Sequence, residues 1–230
     1  MKKYISLIVV ALAVIFAGCK KTSQGVTRIT YYPTITLEGS LYMTMNVGGA
    51  YTEPGFTAVM NGEDISKDVT VTNNIDATTP GLYQVNYSFV NPDGIAANKV
   101  RYVIVVPAGD NIGGHYSSDP ASFRIASGKT VAYGGAFGVL VIPTTTPGTY
   151  DVDDLLGGWY AQRAGYGGAY ACVGKISVNA AGVVTMLGSS VAGWGDSADS
   201  LTGTFNSATG TFTWTVMYAG MSFNVTLHKD

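Results

Sequence analysis

Short runs of alternating apolar and polar residues, each closed by a tight-turn signal, restrict this chain more than any other feature. Tyr83-Gln84-Val85-Asn86-Tyr87-Ser88-Phe89 alternates throughout, and residues 42–47 and 69–72 do so over shorter spans. A period of two puts one face against a core and the other in water, which defines a half-buried strand. Gly48-Gly49, Glu53-Pro54-Gly55, Asn61-Gly62, Asn73-Asn74, Pro80-Gly81 and Pro92-Asp93-Gly94 separate these runs. Glycine, proline and asparagine at such spacing reverse the chain. Helical periodicity is almost lacking, so residues 28–106 are expected to form a β-sandwich.

Pro107-Ala108-Gly109-Asp110-Asn111 breaks the pattern, and a second β-rich unit is expected over 107–230. Its candidate strands are residues 122–125, 129–133, 138–142, 170–173, 175–178, 183–187, 201–205, 211–218 and 221–227. Residues 201–205 and 211–218 read as a hairpin closed by a loop ending at Gly210. Residues 151–156 are expected to make one helical turn, capped by Asp151 and stopped by Gly157-Gly158. The chain is thus read as all-β: an N-terminal sandwich followed by an antiparallel β-sandwich or small open β-barrel.

The amino terminus reads as an export address. Met1, Lys2 and Lys3 carry positive charge, and residues 5–16 are apolar but too few for a comfortable permanent span. The run ends in Phe16-Ala17-Gly18-Cys19, which resembles the bacterial lipobox with phenylalanine in the usual leucine position. The resemblance implies cleavage before Cys19 and a diacylglyceryl thioether on its sulfur, with residues 1–18 a lipoprotein signal peptide. Multiple acyl chains make a stable membrane anchor. Residues 19–27 then read as a lipidated tether.

Two further resemblances follow from longer motifs. Val47-Gly48, Tyr51, Glu53, Gly55-Phe56 and Ala58 precede Asp76, Pro80-Gly81, Tyr83, Val85, Tyr87, Arg101, Val103 and Val105. This pattern resembles the bacterial Ig-like domains of secreted and surface proteins, and it places Tyr83 as a tyrosine corner whose hydroxyl bonds upstream backbone. Residues 150–160, Gly165-Tyr166-Gly167, Trp194-Gly195-Asp196, Thr209-Gly210 with Phe212 and Trp214, and Met221 with Phe223, Val225 and Leu227 resemble the C-terminal module of Bacteroidales-type outer-membrane lipoproteins. That resemblance implies a lipid-anchored location in the bacterial outer membrane. The sequence Lys20-Lys21-Thr22-Ser23-Gln24 departs from the acidic cluster that marks surface export in such lipoproteins, leaving the cell surface and the periplasmic face both open.

Charge narrows the function classes. The chain has 13 basic and 15 acidic side chains; without residues 1–18 the balance becomes 11 to 15. No nucleic-acid partner is expected, because a near-neutral, slightly acidic chain has no electrostatic means of holding a phosphate backbone. Two histidines and two cysteines leave no His/Cys metal cluster, and no cofactor or metal is expected. Asp151, Asp153 and Asp154 lack the ligand order of a calcium loop and read as capping residues. No Gly-x-Ser-x-Gly elbow occurs, and residues 107–230 contain no glutamate. No catalytic residue is therefore assigned. Cys172, in an apolar strand-like context, reads as a small buried hydrophobe.

The remaining chemistry is aromatic. Trp159, Trp194 and Trp214 all fall in the second unit. Flat aromatic rings stack on the C–H faces of pyranoses while neighbouring polar groups bond the hydroxyls. Trp214 alternates with Phe212 and belongs to a core. Trp159, Tyr160, Gln162 and Tyr166, in a glycine-rich segment, form a candidate carbohydrate site with Trp194 and Asp196. The expected partners are the membrane, through lipid on Cys19, and a polysaccharide or oligosaccharide. The rival expectation is a structural or protein-interaction module with an envelope protein as partner.

Overall fold

The computed structural model describes residues 29–230; the expected signal peptide, Cys19 and the tether lie outside the described residues. Two β units follow one another. In the first, β1 (Thr34–Leu37), β3 (Phe56–Met60) and β4 (Glu63–Asp64) make a three-stranded sheet. It packs on a four-stranded sheet ordered β2 (Tyr42–Asn46), β7 (Ala96–Val106), β6 (Gly81–Val90), β5 (Thr70–Asn73). Ile35 and Ala58 from one sheet meet Val85, Tyr87 and Val103 from the other in a single core. β2 runs parallel to β7, while β6 pairs antiparallel with both of its neighbours. The Tyr83 hydroxyl donates to the Thr79 carbonyl at 2.9 Å, as a tyrosine corner requires.

Arg101 is fully buried in this unit. Its guanidinium donates to the carbonyls of Ser40, Glu38 and Gly55 and to the Tyr87 hydroxyl, and it pairs with Glu53 at 3.3 Å. Burial pushes the Glu53 carboxyl up, but the Tyr51 and Tyr87 hydroxyls together with Arg101 outweigh it and hold it below its ordinary value. A buried charge is tolerated when its donors are this fully occupied.

The second unit is a barrel. Its strands are β8 (Gly114–Ser118), β11 (Gly138–Pro143), β12 (Thr149–Val152), β13 (Val173–Val178), β14 (Val183–Ser190), β15 (Ser200–Asn206), β16 (Thr211–Tyr218) and β17 (Met221–Lys229). Each pairs antiparallel with the next, and β17 returns to pair with β8, so the eight strands close. The all-β expectation holds, and the expected antiparallel sandwich or small open barrel is narrowed to a closed one: Leu227, His228 and Lys229 register against Ser118, Ser117 and Tyr116, removing the edges an open sheet would leave. A hairpin of β9 (Phe123–Ala126) and β10 (Lys129–Ala132) branches off β17.

Alternating residues fill the barrel. Phe212, Trp214, Val216 and Tyr218 point inward from β16 and meet Phe223, Val225 and Leu227 of β17. Gly203 lies opposite Trp214, where a Cβ would come within 2.3 Å of the tryptophan Cβ. Only a hydrogen at that position lets the indole occupy the core.

The strand ladder assigns the loops to two ends. One end carries residues 107–113, 144–148, 179–182 and 207–210, and the Ig-like unit adjoins it: Val47, Thr78 and Pro80 share a cleft with Pro107, Pro143 and Tyr150. Nearby, the Tyr42 ring stacks on His115 with centroids 4.0 Å apart. The opposite end carries residues 119–137, 153–172, 191–199 and 219–220. Within the Ig-like unit, β6 leaves the junction at Gly81 and runs away from it to Val90. There Asn91 Nδ2 donates to the Tyr31 carbonyl, so the chain enters at the pole farthest from the barrel.

Candidate functional site

Residues 153–172 build most of the distal end, and one buried carboxylate shapes them. Asp154 Oδ1 accepts the N–H groups of Leu156 and Cys172 at 2.9 and 3.1 Å, and Oδ2 accepts that of Gly158 at 3.1 Å. Both ends of the loop are thereby tied to one side chain. Burial raises the Asp154 carboxyl to about 7, against the lowering effect of those N–H groups. The expected helical turn over 151–156 does not form. Asp151 belongs to β12 and pairs with Lys175 at 3.3 Å, and Asp154 supplies the capping bonds instead. Asp153 accepts the Leu140 N–H at 2.7 Å. The three aspartates thus serve separate partners.

Gly158 has φ of +86°, and a Cβ there would meet Phe137 at 2.4 Å. It opens a π-helical turn, Trp159–Arg163, which sends successive side chains in different directions. Leu155 and Leu156 enter the barrel, where the Trp214 indole N–H donates to the Leu155 carbonyl at 2.9 Å. Trp159 follows them inward. It is only 3% exposed, packed by Tyr133 and Phe223 and covered by the guanidiniums of Arg124 and Arg163. Its expected place as a stacking surface is therefore corrected: its flanking glycines bend the loop into the barrel mouth instead of holding the ring in water. Gln162 is also occupied, exchanging two hydrogen bonds with the Gly138 backbone like an added strand residue.

Tyr160, Tyr166 and Trp194 do converge. The Tyr160 and Trp194 rings meet at 4.8 Å and 83°, and Tyr166 stands 6.2 Å from Trp194 at 82°. Tyr170 supports Trp194 at 4.8 Å, with Tyr218 beneath at 6.1 Å. Tyr166 is 55% exposed and Trp194 43%, so two flat rings form an open corner over the buried Tyr218 and the half-buried Tyr160 and Tyr170. Asp196 sits beside it, accepting the Tyr218 hydroxyl at 2.8 Å. Burial and this carboxylate push the Tyr218 phenol up. Gly193 permits the approach of Tyr170, whose ring would lie 2.6 Å from a Cβ there, and its N–H donates to the Ala169 carbonyl.

Tyr170 and Tyr218 are not separable from core residues in the sequence. Tyr218 shares the inward face of Trp214, and only its place at the strand end brings it to the mouth. Cys172 is buried, its thiol pushed up to about 12 by burial. The histidines pair apart from the aromatic corner, His115 with Asp230 and His228 with Asp119. Among the described residues no group of three or more His, Cys, Asp or Glu side chains is placed to hold a metal.

An Ig-like sandwich leading into a closed eight-stranded barrel defines the class, and comparison with known proteins agrees. The family of bacterial surface protein Ig-like domains matches residues 35–105, and a family of C-terminal domains matches residues 108–229. The crystal structure of the lipoprotein BT2262 from Bacteroides thetaiotaomicron is 39% identical, with a TM-score of 0.76 over 86% of this chain and 100% of that one. The chain belongs to the family of that lipoprotein. Two multidomain structures from Clostridium perfringens ZmpB also match. One holds an M60 catalytic domain with CBM51-1 and CBM51-2 domains; it is 15% identical over 54% of this chain and 15% of that one. The other holds CBM51-2 in complex with GlcNAc and INT domains; it is 12% identical over 86% of this chain and 44% of that one. Both have TM-scores of 0.29, too low to bear on this chain. A search of curated proteins found no match.

Proposed function

We propose that this is a lipid-anchored protein of the bacterial outer membrane that binds carbohydrate without transforming it. The observation that carries the reading is the exposed Tyr166–Trp194 corner on a rigid aromatic base. A pyranose would lay its C–H face on one ring and meet the second edge-on, with Asp196 and backbone groups of residues 191–196 bonding its hydroxyls. Trp159, packed on Phe223, and Gln162, bonded to the Gly138 backbone, fix the turn that carries Tyr160. Lipidation of Cys19 supplies the anchor, and the Ig-like unit spaces the barrel from it.

The test is retention of residues 20–230 on polysaccharide affinity gels and glycan arrays. The double variant Tyr166→Ala, Trp194→Ala should lose retention while keeping the wild-type melting temperature within a few degrees. Retention unchanged in that variant would remove the site.

A second reading, a protein-interaction module, is favoured by one observation. β10 ends the sheet order, all four of its residues are exposed, and its outer edge offers backbone donors and acceptors to another strand. If that edge is the functional surface, Thr130→Pro, which removes an N–H that points away from β9, should abolish association with an envelope partner, and the double aromatic variant should not.

A further inference from the structure

We infer that the preferred carbohydrate is acidic, its carboxylate or sulfate group held by the guanidiniums of Arg124 and Arg163 beside the aromatic corner. This inference rests on the carbohydrate reading of that corner.

The two arginines come from separate elements, β9 and the π-helical turn, yet both lie against the Trp159 indole, at 4.7 and 4.2 Å from its centroid. Phe223 faces Arg124 across the β9–β17 pairing. The same phenyl ring touches Trp159 at 5.9 Å and Tyr160 at 5.8 Å. The cationic pair and the aromatic corner therefore share one foundation, and Arg163 lies in sequence between Tyr160 and Tyr166.

Neither guanidinium is neutralised. Among the described residues neither forms an ion pair. Arg163 spends only its Nε, on the Tyr133 carbonyl at 2.9 Å, which leaves its terminal amino fork for another acceptor. Arg124 Nε is buried with no acceptor at all. Buried donors are nearly always satisfied, and an orphan calls for an explanation such as a missing ion. Two cations gathered at one indole repel each other, while each is attracted to the ring. An anionic group removes the repulsion and accepts paired N–H bonds in the planar geometry that guanidinium favours.

The rest of the barrel argues for local selection rather than a general basic field. Residues 107–230 carry eight acidic and five basic side chains. An acidic polymer is not drawn in by net charge, so recognition must come from these two groups. A neutral sugar could use the aromatic corner but would leave both guanidiniums without a counter-charge.

The test is a glycan array of matched sets, each neutral oligosaccharide beside its uronate and sulfate-ester counterparts, probed with residues 20–230. Acidic members should bind about tenfold or more tightly than neutral ones, as expected for charge-assisted hydrogen bonds. Arg163→Gln, on an exposed position, should erase that preference, whereas Arg163→Lys should keep part of it. The uronate and sulfate arms identify which anion is meant. Equal binding of neutral and acidic members, or an unaltered preference in Arg163→Gln, would overturn the inference and leave the aromatic site standing. Absence of binding to every set would overturn both.

Discussion

Asp154→Asn probes the residue that holds the site loop together. The substitution keeps Oδ1, which accepts from Leu156 and Cys172, but turns an N–H₂ group toward the Gly158 N–H that Oδ2 formerly accepted. Two donors then face each other in a buried place, which costs about 1–3 kcal/mol. The penalty should depend on pH. The carboxyl titrates near 7 when folded, against an ordinary value of 3.8. A raised native value means that stability from this group is complete below about 4 and is lost as pH rises toward 7. Over that window the wild type should lose about 4 kcal/mol relative to a neutral amide. The amide variant should therefore be clearly less stable than the wild type at pH 4.5, and nearly as stable, or even more stable, at pH 8. Urea denaturation of both proteins at several pH values measures the difference. A penalty that stays constant or grows with pH would refute a protonated, desolvated Asp154.

Gly203→Ala should destabilise by about 1–3 kcal/mol in urea melts, because its Cβ would overlap Trp214. Trp214→Phe should cost about 1–3 kcal/mol, leaving the buried Leu155 carbonyl without its donor. Arg101→Ala should cost about 3–5 kcal/mol, since it removes the buried cation opposite Glu53 and the donor to the Ser40 and Glu38 carbonyls. Glu53→Gln should flatten the acid limb of the stability profile, because a carboxyl held below its ordinary value supports the fold above that value and releases it as pH falls.

The fold was largely legible where burial and periodicity coincide. Residues 211–218 alternate because β16 has one face inside the barrel and one in water, and the strand there begins and ends where the pattern does. Tyr83 was legible because its spacing from the Pro80-Gly81 turn is local. Closure was not, since it depends on Leu227–Lys229 meeting Tyr116–Ser118, a contact between segments far apart in the chain. β12 escaped notice because Thr149-Tyr150-Asp151-Val152 puts an aspartate on its outer face and reads like a cap.

Within the candidate segment, the sequence does not separate the rings that turn into the barrel from those that turn outward. Glycines around Trp159 and Tyr166 look alike in one dimension. The Asp154 clamp and the π-helical turn send one ring into the barrel and the other into water. The partnership of Trp194 with Tyr160 joins two loops and is invisible without tertiary structure. Nothing in the spacing of Arg124 and Arg163 announces a shared indole.

The parallel pairing of β2 with β7 has a mechanical consequence. β2 is reached from the entry point through β1, and β7 leads straight into the barrel, so a pull between the amino-terminal side and the far mouth draws β2 and β7 in opposite directions along their common axis. Their rungs from Tyr42–Tyr102 to Asn46–Val106 are then strained together in shear rather than peeled one at a time. A protein tugged by a large polymer would hold its shape under far greater tension than the same rungs could bear if they opened like a zip.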